Sequence, residues 1–300
     1  MQLMRACLTP NKLAWLNQEF GEHADALIAA MDEAGIAYLQ RLQTLESSGE
    51  DNDLSMRFAW FEQKLALTTR LNDKELSELP SFCLDGLKVK LVQPSDMAVV
   101  VQDLNSAQVL GFDTETRASF QVGEHHPLSL IQIATDDCCY LFQHALLGDD
   151  LAQLKPVLEN EAILKVGIGL RSDTHALKRQ WNIQLNSRLD LNWVLAQLGA
   201  GKEMGTRQLA AVLLKRQIEK SKKVTLSNWQ QVPLTEAQIR YASIDVFVAI
   251  QCFNALIAKL SVFYDPSAAR SLLPQNLAAR LAVYLSADKL SADKLSADKD

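Results

Sequence analysis

A mixed α/β fold is predicted by three features of this 300-residue chain. Four short runs of strand composition come first: Leu87 to Val92, Val109 to Glu115, Leu128 to Ala134 and Cys138 to Phe142. Strand-like and helix-like segments then alternate to about residue 262. Hydrophobic residues make up 48% of the chain, ample for one large core and a smaller unit beside it.

In chain order, residues 1 to 80 read as a helical extension. Leu13, Leu16, Phe20, Ala24, Leu27, Met31, Ile36, Leu39 and Leu42 recur mostly at spacings of three and four. An acidic, glycine-containing break at residues 47 to 53 precedes a second helical run from Leu54 to Arg70. The extension offers no chemistry, so it is expected to pack on the main domain or to present a surface for a protein partner or a second copy of the chain. The main domain is placed at residues 86 to 262. The turn Thr135-Asp136-Asp137 makes the third and fourth runs an antiparallel hairpin. Ile163 to Ile168 reads as a buried strand, Asp173 to Trp181 and Thr206 to Arg216 as helices. The last long helix opens at Thr235, with Gln238 at capping-box spacing, and runs to about Leu260. Residues 285 to 300 are Leu-Ser-Ala-Asp-Lys three times and then Asp300, a period of five that fits neither helix nor heptad. A low-complexity tail, disordered or weakly helical, is expected there.

Composition narrows the class of function. No apolar run is read as long enough to span a bilayer, and the opening residues lack the pattern of a secretory signal, so no membrane role is expected. The five cysteines (7, 83, 138, 139, 252) form no Cys-x-x-Cys pair and read as reduced thiols of a cytoplasmic protein. The net charge of -6 hides an asymmetry. Residues 1 to 80 carry 7 basic and 13 acidic groups, whereas residues 151 to 250 carry 14 basic and 8 acidic. Phosphate binding follows local potential, and the densest basic cluster is Lys215, Arg216, Lys220, Lys222 and Lys223. A lysine run by itself is usually only a solvated face.

The chemistry centres on Asp113 and Glu115, two apart in the run Val-Leu-Gly-Phe-Asp-Thr-Glu-Thr. In a strand, residues i and i+2 share one face, so two carboxylates would stand side by side. Such a pair is stable if one acid is protonated or if a hard cation lies between them. Alone, an Asp-x-Glu is more often a solvated strand end. Company changes that reading: Asp173 follows an apolar strand, and Tyr241 and Asp245 sit one helical turn apart on a shared face. Four acids and one tyrosine fit a single polynuclear metal site.

Asp113-Thr-Glu, Gly169-x-x-x-Asp173 and Tyr241-x-x-x-Asp245, in that order, resemble the three motifs of the DEDD superfamily of 3'-5' exonucleases, tyrosine branch. The runs Lys165-Val-Gly-Ile-Gly-Leu, Leu226-Ser-Asn-Trp229 and Leu234-Thr-Glu-Ala-Gln238 resemble the ribonuclease D and Werner-syndrome exonuclease group. The resemblance covers residues 86 to 260 and implies a ribonuclease-H-like fold: a five-stranded mixed sheet flanked by helices, its site at the carboxyl ends of the central strands. Two departures stand out. Gly169, Leu170, Arg171 and Ser172 fill a stretch where some branches carry an Asn, and Ser243 stands where a small Ala is common.

What the resemblance implies is hydrolysis from the 3' end of a nucleic acid, DNA favoured over RNA trimming, with release of nucleoside 5'-monophosphates. Two Mg²⁺ or Mn²⁺ ions would activate a water and stabilise the leaving oxygen. Asp113 would bridge them, Glu115 and Asp245 would support the ion on the nucleophile side, and Asp173 would hold the site directly or through a water. Tyr241, whose phenol titrates near pH 10, would orient the attacking water. Thr114, Arg207, Lys215, Lys222 and Lys223 are the expected nucleic-acid contacts. A catalytically silent scaffold of the same fold is the alternative, but it would have no physical need to keep repelling acids together.

Other features read more simply. Adjacent side chains rarely converge on one ion, so His125-His126 is a loop, and His175 is expected on a helix surface. Gly167-x-Gly169 lacks the third glycine of a dinucleotide loop. Trp181, Trp193 and Trp229 could stack bases, although core packing is the commoner use.

Overall fold

The computed structural model describes residues 51–117, 126–266 and 271–297, besides three isolated positions nearer the N-terminus. The helical reading of residues 9 to 50, Cys7 and His125 lie outside the described residues. Helix α1 (Asp51–Thr68) is followed by α2 (Asp73–Glu78), whose Asn72 and Glu75 form a reciprocal cap. Then come β1 (Lys88–Leu91), α3 (Met97–Ser106), β2 (Val109–Thr116), β3 (Leu128–Ala134) and β4 (Cys138–Gln143). Beyond several short helical turns lie β5 (Leu164–Gly167), α4 (Arg171–Trp181), β6 (Arg188–Asp190) and α5 (Leu191–Gln197). The chain ends in two long helices, α6 (Glu236–Ser261) and α7 (Gln275–Ala297).

The strands form one sheet in the order β1-β4-β3-β2-β5-β6. β3 runs antiparallel to β2 and β4, while β1 with β4, β2 with β5 and β5 with β6 are parallel. The expected hairpin of β3 and β4 is therefore present. The sheet has six strands where five were expected. The sixth, Arg-Leu-Asp of β6, buries only Leu189 and is too short to show a periodicity.

Both faces of the sheet are covered. Alternation along β2 sends Leu110 and Phe112 into the core that holds Val100 and Leu104 of α3 and Leu177 of α4. Gly111, Asp113 and Glu115 therefore point to the other face. That face carries Leu130, Ala134, Cys139 and Leu141 and is packed by α6. α6 buries sixteen side chains, Phe247, Val248 and Phe253 among them, and a fully buried large apolar side chain contributes roughly 1.5–3 kcal/mol. In length and composition this helix matches a membrane span, contrary to the sequence reading. Its apolar stretch is 72% buried and serves as the core of the fold.

The flanking helices join the same core. Trp60 of α1 packs on Phe263 at 5.1 Å between rings, and Leu67 is buried. Leu277, Leu281 and Leu285 of α7 are buried at four-residue spacing, with Tyr284 edge-on to Phe253 at 5.3 Å. The repeat expected as a tail thus begins inside a helix that continues to Ala297, because Leu285 completes an apolar stripe that starts upstream of the repeat. The helix expected over Thr206 to Arg216 forms one α turn and a π turn and stops at Leu214, where Lys215 adopts a left-handed conformation.

Candidate active site

Two strand-to-helix features bring the acids together. Gly111 lies where a Cβ would stand 2.4 Å from the Val246 carbonyl oxygen, so its missing side chain lets α6 lie directly on β2. The residue before Val246 is Asp245, which is thereby set against Asp113 and Glu115. Carboxylate oxygens of Asp113, Glu115 and Asp245 all lie within 4.8 Å of one another. After β5 the chain turns through Gly169, at φ +75°, into α4, which presents Asp173. Asp173 comes from the opposite face of the sheet: its Oδ1 accepts a short hydrogen bond from the Thr114 hydroxyl, and Oδ2 accepts from Ser172 at 3.4 Å. Thr114 alternates with its two acidic neighbours and so joins the fourth acid to their strand. All these groups stand at the carboxyl ends of β2 and β5, the position expected for a site in an α/β sheet.

Burial raises every acid of the group, and neighbouring carboxylates add to it at Asp113 and Glu115. Asp113 is held well above the carboxylate range, first by burial and then by Asp245, Asp173 and Glu115. Burial, followed by the Asp245 charge, pushes Glu115 up to about 8. Asp173 is raised by burial against the opposing hydrogen bond from Thr114. Asp245 is raised by burial against the opposing charge of Lys220.

Lys220 is the site residue that sequence reasoning placed elsewhere. In the sequence it is only one member of a basic run and not among the expected contacts, but the loop after Lys215 is tied to residues 80–82 and turned inward. Gln217 N donates to Pro80 O at 2.9 Å, and Phe82 N donates to Gln217 O at 2.8 Å. The Lys220 ammonium then ion-pairs closely with Asp245, donates to Thr206 Oγ1 at 3.1 Å and lies 4.6 Å from the centre of the Tyr241 ring. Burial alone would lower its pKa. The Asp245 carboxylate first, with Tyr241 behind it, outweighs that, so Lys220 is raised and stays protonated. A cation therefore already sits at the edge of the acid cluster, and sequence carried only its membership of a basic run.

Tyr241 lies one turn before Asp245. Its hydroxyl accepts from Thr225 Oγ1 at 3.1 Å, and its ring leans on Trp229 at 5.8 Å. Burial first and Asp245 second raise its pKa, so the phenol keeps its proton and can donate. Trp229 is fully buried, with its indole N–H donating to Thr225 O at 3.3 Å, which is the core role rather than base stacking.

The other expected contacts are placed less tightly. Lys222 and Lys223 are exposed on the helical turn that ends at Thr225, beside Tyr241. Lys215 is exposed on the loop leading to Lys220. Arg207 reaches Asp73 of α2 at 3.6 Å, so it is partly spent on an ion pair. His175 is on the exposed surface of α4, as expected.

The donor set suits a hard divalent cation: three carboxylates at one point, each raised first by burial, with an ammonium partly offsetting their charge. Asp113, Glu115 and Asp245 would hold such an ion, with Asp173 next to them.

A model of the 3'-5' exonuclease family matches residues 89–261. The bifunctional 3'-5' exonuclease/ATP-dependent helicase WRN of Mus musculus is 29% identical over 184 residues, 59% of this chain and 13% of that protein. A 3'-5' exonuclease of Drosophila grimshawi is 32% identical over 146 residues, 46% of this chain and 44% of its own. The chain thus spans less than half the length of these two relatives. Among solved structures, the Aedes aegypti Nibbler EXO domain superposes with a TM-score of 0.55 at 22% identity, over 71% of this chain and 99% of that one. Escherichia coli RNase D gives 0.53 at 17% identity, over 67% and 50%. These structural likenesses show a common ribonuclease-H-like architecture. With a family match over more than half its length, spanning the strand and helix that carry Asp113, Glu115 and Asp245, the chain belongs to the 3'-5' exonuclease family.

Proposed function

We propose that this protein hydrolyses phosphodiester bonds from the 3' end of a nucleic acid in the presence of Mg²⁺ or Mn²⁺, releasing nucleoside 5'-monophosphates. The observation that carries the reading is the convergence of Asp113, Glu115 and Asp245 within 4.8 Å, with Tyr241 one turn away. Divalent cations bound there would supply Lewis-acid stabilisation of the charge on the scissile phosphate and lower the pKa of water. Asp113, Glu115 and Asp245 would hold the cations, and Asp173 would anchor the far side through Thr114. Tyr241, held protonated, donates a hydrogen bond that orients the attacking water. Thr225 fixes the phenol for that role. With Asp245 engaged by a cation, the Lys220 ammonium would be free to meet the negative charge of a phosphate. Lys222 and Lys223, exposed beside this entrance, would contact the strand, with Arg207 and Lys215 farther out.

DNA is the favoured substrate, supported by the motifs shared with the Werner-like group. Trimming of RNA 3' ends is the second reading, because a protein separates the two largely at the 2' hydroxyl and relatives of this fold include an RNase D complexed with RNA. The test is digestion of matched 5'-labelled DNA and RNA oligonucleotides, single-stranded and recessed, with Mg²⁺ or Mn²⁺. A ladder shortening from the 3' end is expected, with turnover by Asp113→Asn reduced at least about a hundredfold. Undiminished activity in that variant, or none in wild type with either metal, would defeat the proposal.

A further inference from the structure

A second concave site lies next to the acid cluster, on the other side of the first turns of α4. Its volume is about 590 Å³, and its walls come from four elements: Arg171 and His175 of α4, Arg188 of β6, Trp193 of α5 and Arg280 of α7. Its charge is mainly positive, three arginines against one acid. The one acid in its lining is Asp190, and both oxygens of that carboxylate are taken by backbone amides, Leu170 N at 3.0 Å and Asn192 N at 2.9 Å. None of the ion pairs among the described residues involves Arg171, Arg188 or Arg280.

Two of the three guanidinium groups are nonetheless held in place. Arg188 donates to Leu185 O at 3.2 Å, and Arg280 donates to Arg188 O while lying 5.4 Å from the centre of the Trp193 ring. Each of these bonds uses a neutral carbonyl acceptor and leaves most of the five guanidinium N–H donors unspent. Positive charge that is oriented but not neutralised suits an anion, and the planar guanidinium matches phosphate oxygens two at a time. The half-buried Trp193, with Arg280 over its ring, adds a guanidinium–indole stack of the kind against which a base packs. Phosphate and base together describe a nucleotide.

We propose that this cleft is a second nucleotide-binding site, separate from the acid cluster, that holds the phosphate and base of one nucleotide unit. The inference rests on the nuclease reading for its most direct source, an internal nucleotide of the substrate strand whose 3' end occupies the neighbouring site. A released nucleoside 5'-monophosphate has the same chemistry and is the other source. Arg171 and Asp173 belong to the same turn of α4, so a strand engaged at one site passes close to the other.

The experiment uses the full chain in EDTA, where no turnover occurs. Fluorescence anisotropy measures binding of a 5'-fluorescein single-stranded 12-mer to wild type and to Arg188→Gln/Arg280→Gln, and tryptophan fluorescence follows titration with a nucleoside 5'-monophosphate. Loss of about tenfold in oligonucleotide affinity supports the substrate strand as the source. Loss of the mononucleotide quench alone supports the product. Unchanged binding of both ligands overturns the site. If the double variant fails to give the wild-type circular dichroism melt, Arg171→Gln, an exposed position at the helix start, repeats the measurement under the same criteria. Digestion of the same oligonucleotide by wild type with Mn²⁺ keeps the two readings apart: its absence would sink the nuclease assignment, whereas unchanged binding in the variants sinks only the cleft.

Discussion

Glu115 shows how the site costs stability to be ready for a metal. Its carboxyl is raised from an ordinary 4.5 to about 8, by burial first and by Asp245 second. A carboxyl with a folded pKa above its unfolded value holds a proton that the unfolded chain has already lost, so stability falls as pH rises between those two values and levels off above. In EDTA the melting temperature is therefore expected to fall from pH 5 to pH 8, and added Mn²⁺ should flatten the decline. Asp113→Asn removes one repelling charge, so at pH 8 without metal it should melt above wild type, by about 2–4 °C for each kcal/mol relieved. A wild-type melting temperature that is flat or rises over that range in EDTA would show that the acids do not repel as described. At this scale the sequence was most informative where chemistry and spacing coincide. Asp113 and Glu115 declare a shared face by being two apart, and Tyr241 and Asp245 by being four apart. Lys220 could not be read in the same way, because a loop pinned to Pro80 and Phe82 turns it inward, and no local pattern encodes a contact made across more than a hundred residues. Thr114 likewise proved to bond Asp173, a partner 59 residues away.

Among the elements, β2 and α6 are the pair that makes the site, and Gly111 sets their separation. A methyl group there would meet the Val246 carbonyl at 2.4 Å, and the helix would have to withdraw. Gly111→Ala is expected to destabilise the fold by about 1–3 kcal/mol and, by shifting Asp245, to reduce turnover about a hundredfold. Circular dichroism melting and the oligonucleotide ladder measure the two effects, and wild-type values for both would show that this approach does not position Asp245. α6 was legible because several signals agreed: a capping box at Thr235 and Gln238, a long apolar run and no proline. β6 was not, since three residues carry no period and its pairing with β5 depends on chain brought from elsewhere. The π turn at Ala210–Leu214 followed the same rule: its apolar run reads as ordinary helix, and only packing against α6 shows where it widens and ends.

Over the whole molecule, charge is segregated rather than balanced. Asp173 and Asp245 are buried and Asp113 and Glu115 half-buried, while Lys215, Lys222 and Lys223 are exposed on the segment leading into the site. A chain of net charge -6 can therefore still bind a polyanion through one face. Turnover below saturation should drop steeply with salt, by about 0.7 logarithmic units per decade of salt for each single-strand phosphate contacted. Replacing the three lysines with glutamine should make that slope shallower, and a flat response in wild type would exclude them as the phosphate track. Everything at this scale serves one arrangement, three acids at a common point with a fourth acid and a phenol beside them, drawn from both faces of a sheet. Anomalous diffraction from crystals soaked in Mn²⁺ tests it most directly. The expected result is density for the ion among Asp113, Glu115 and Asp245, with the Lys220 ammonium moved off Asp245. Lys220 still paired with Asp245 and no anomalous peak among the carboxylates, at a Mn²⁺ concentration that supports turnover, would contradict the account.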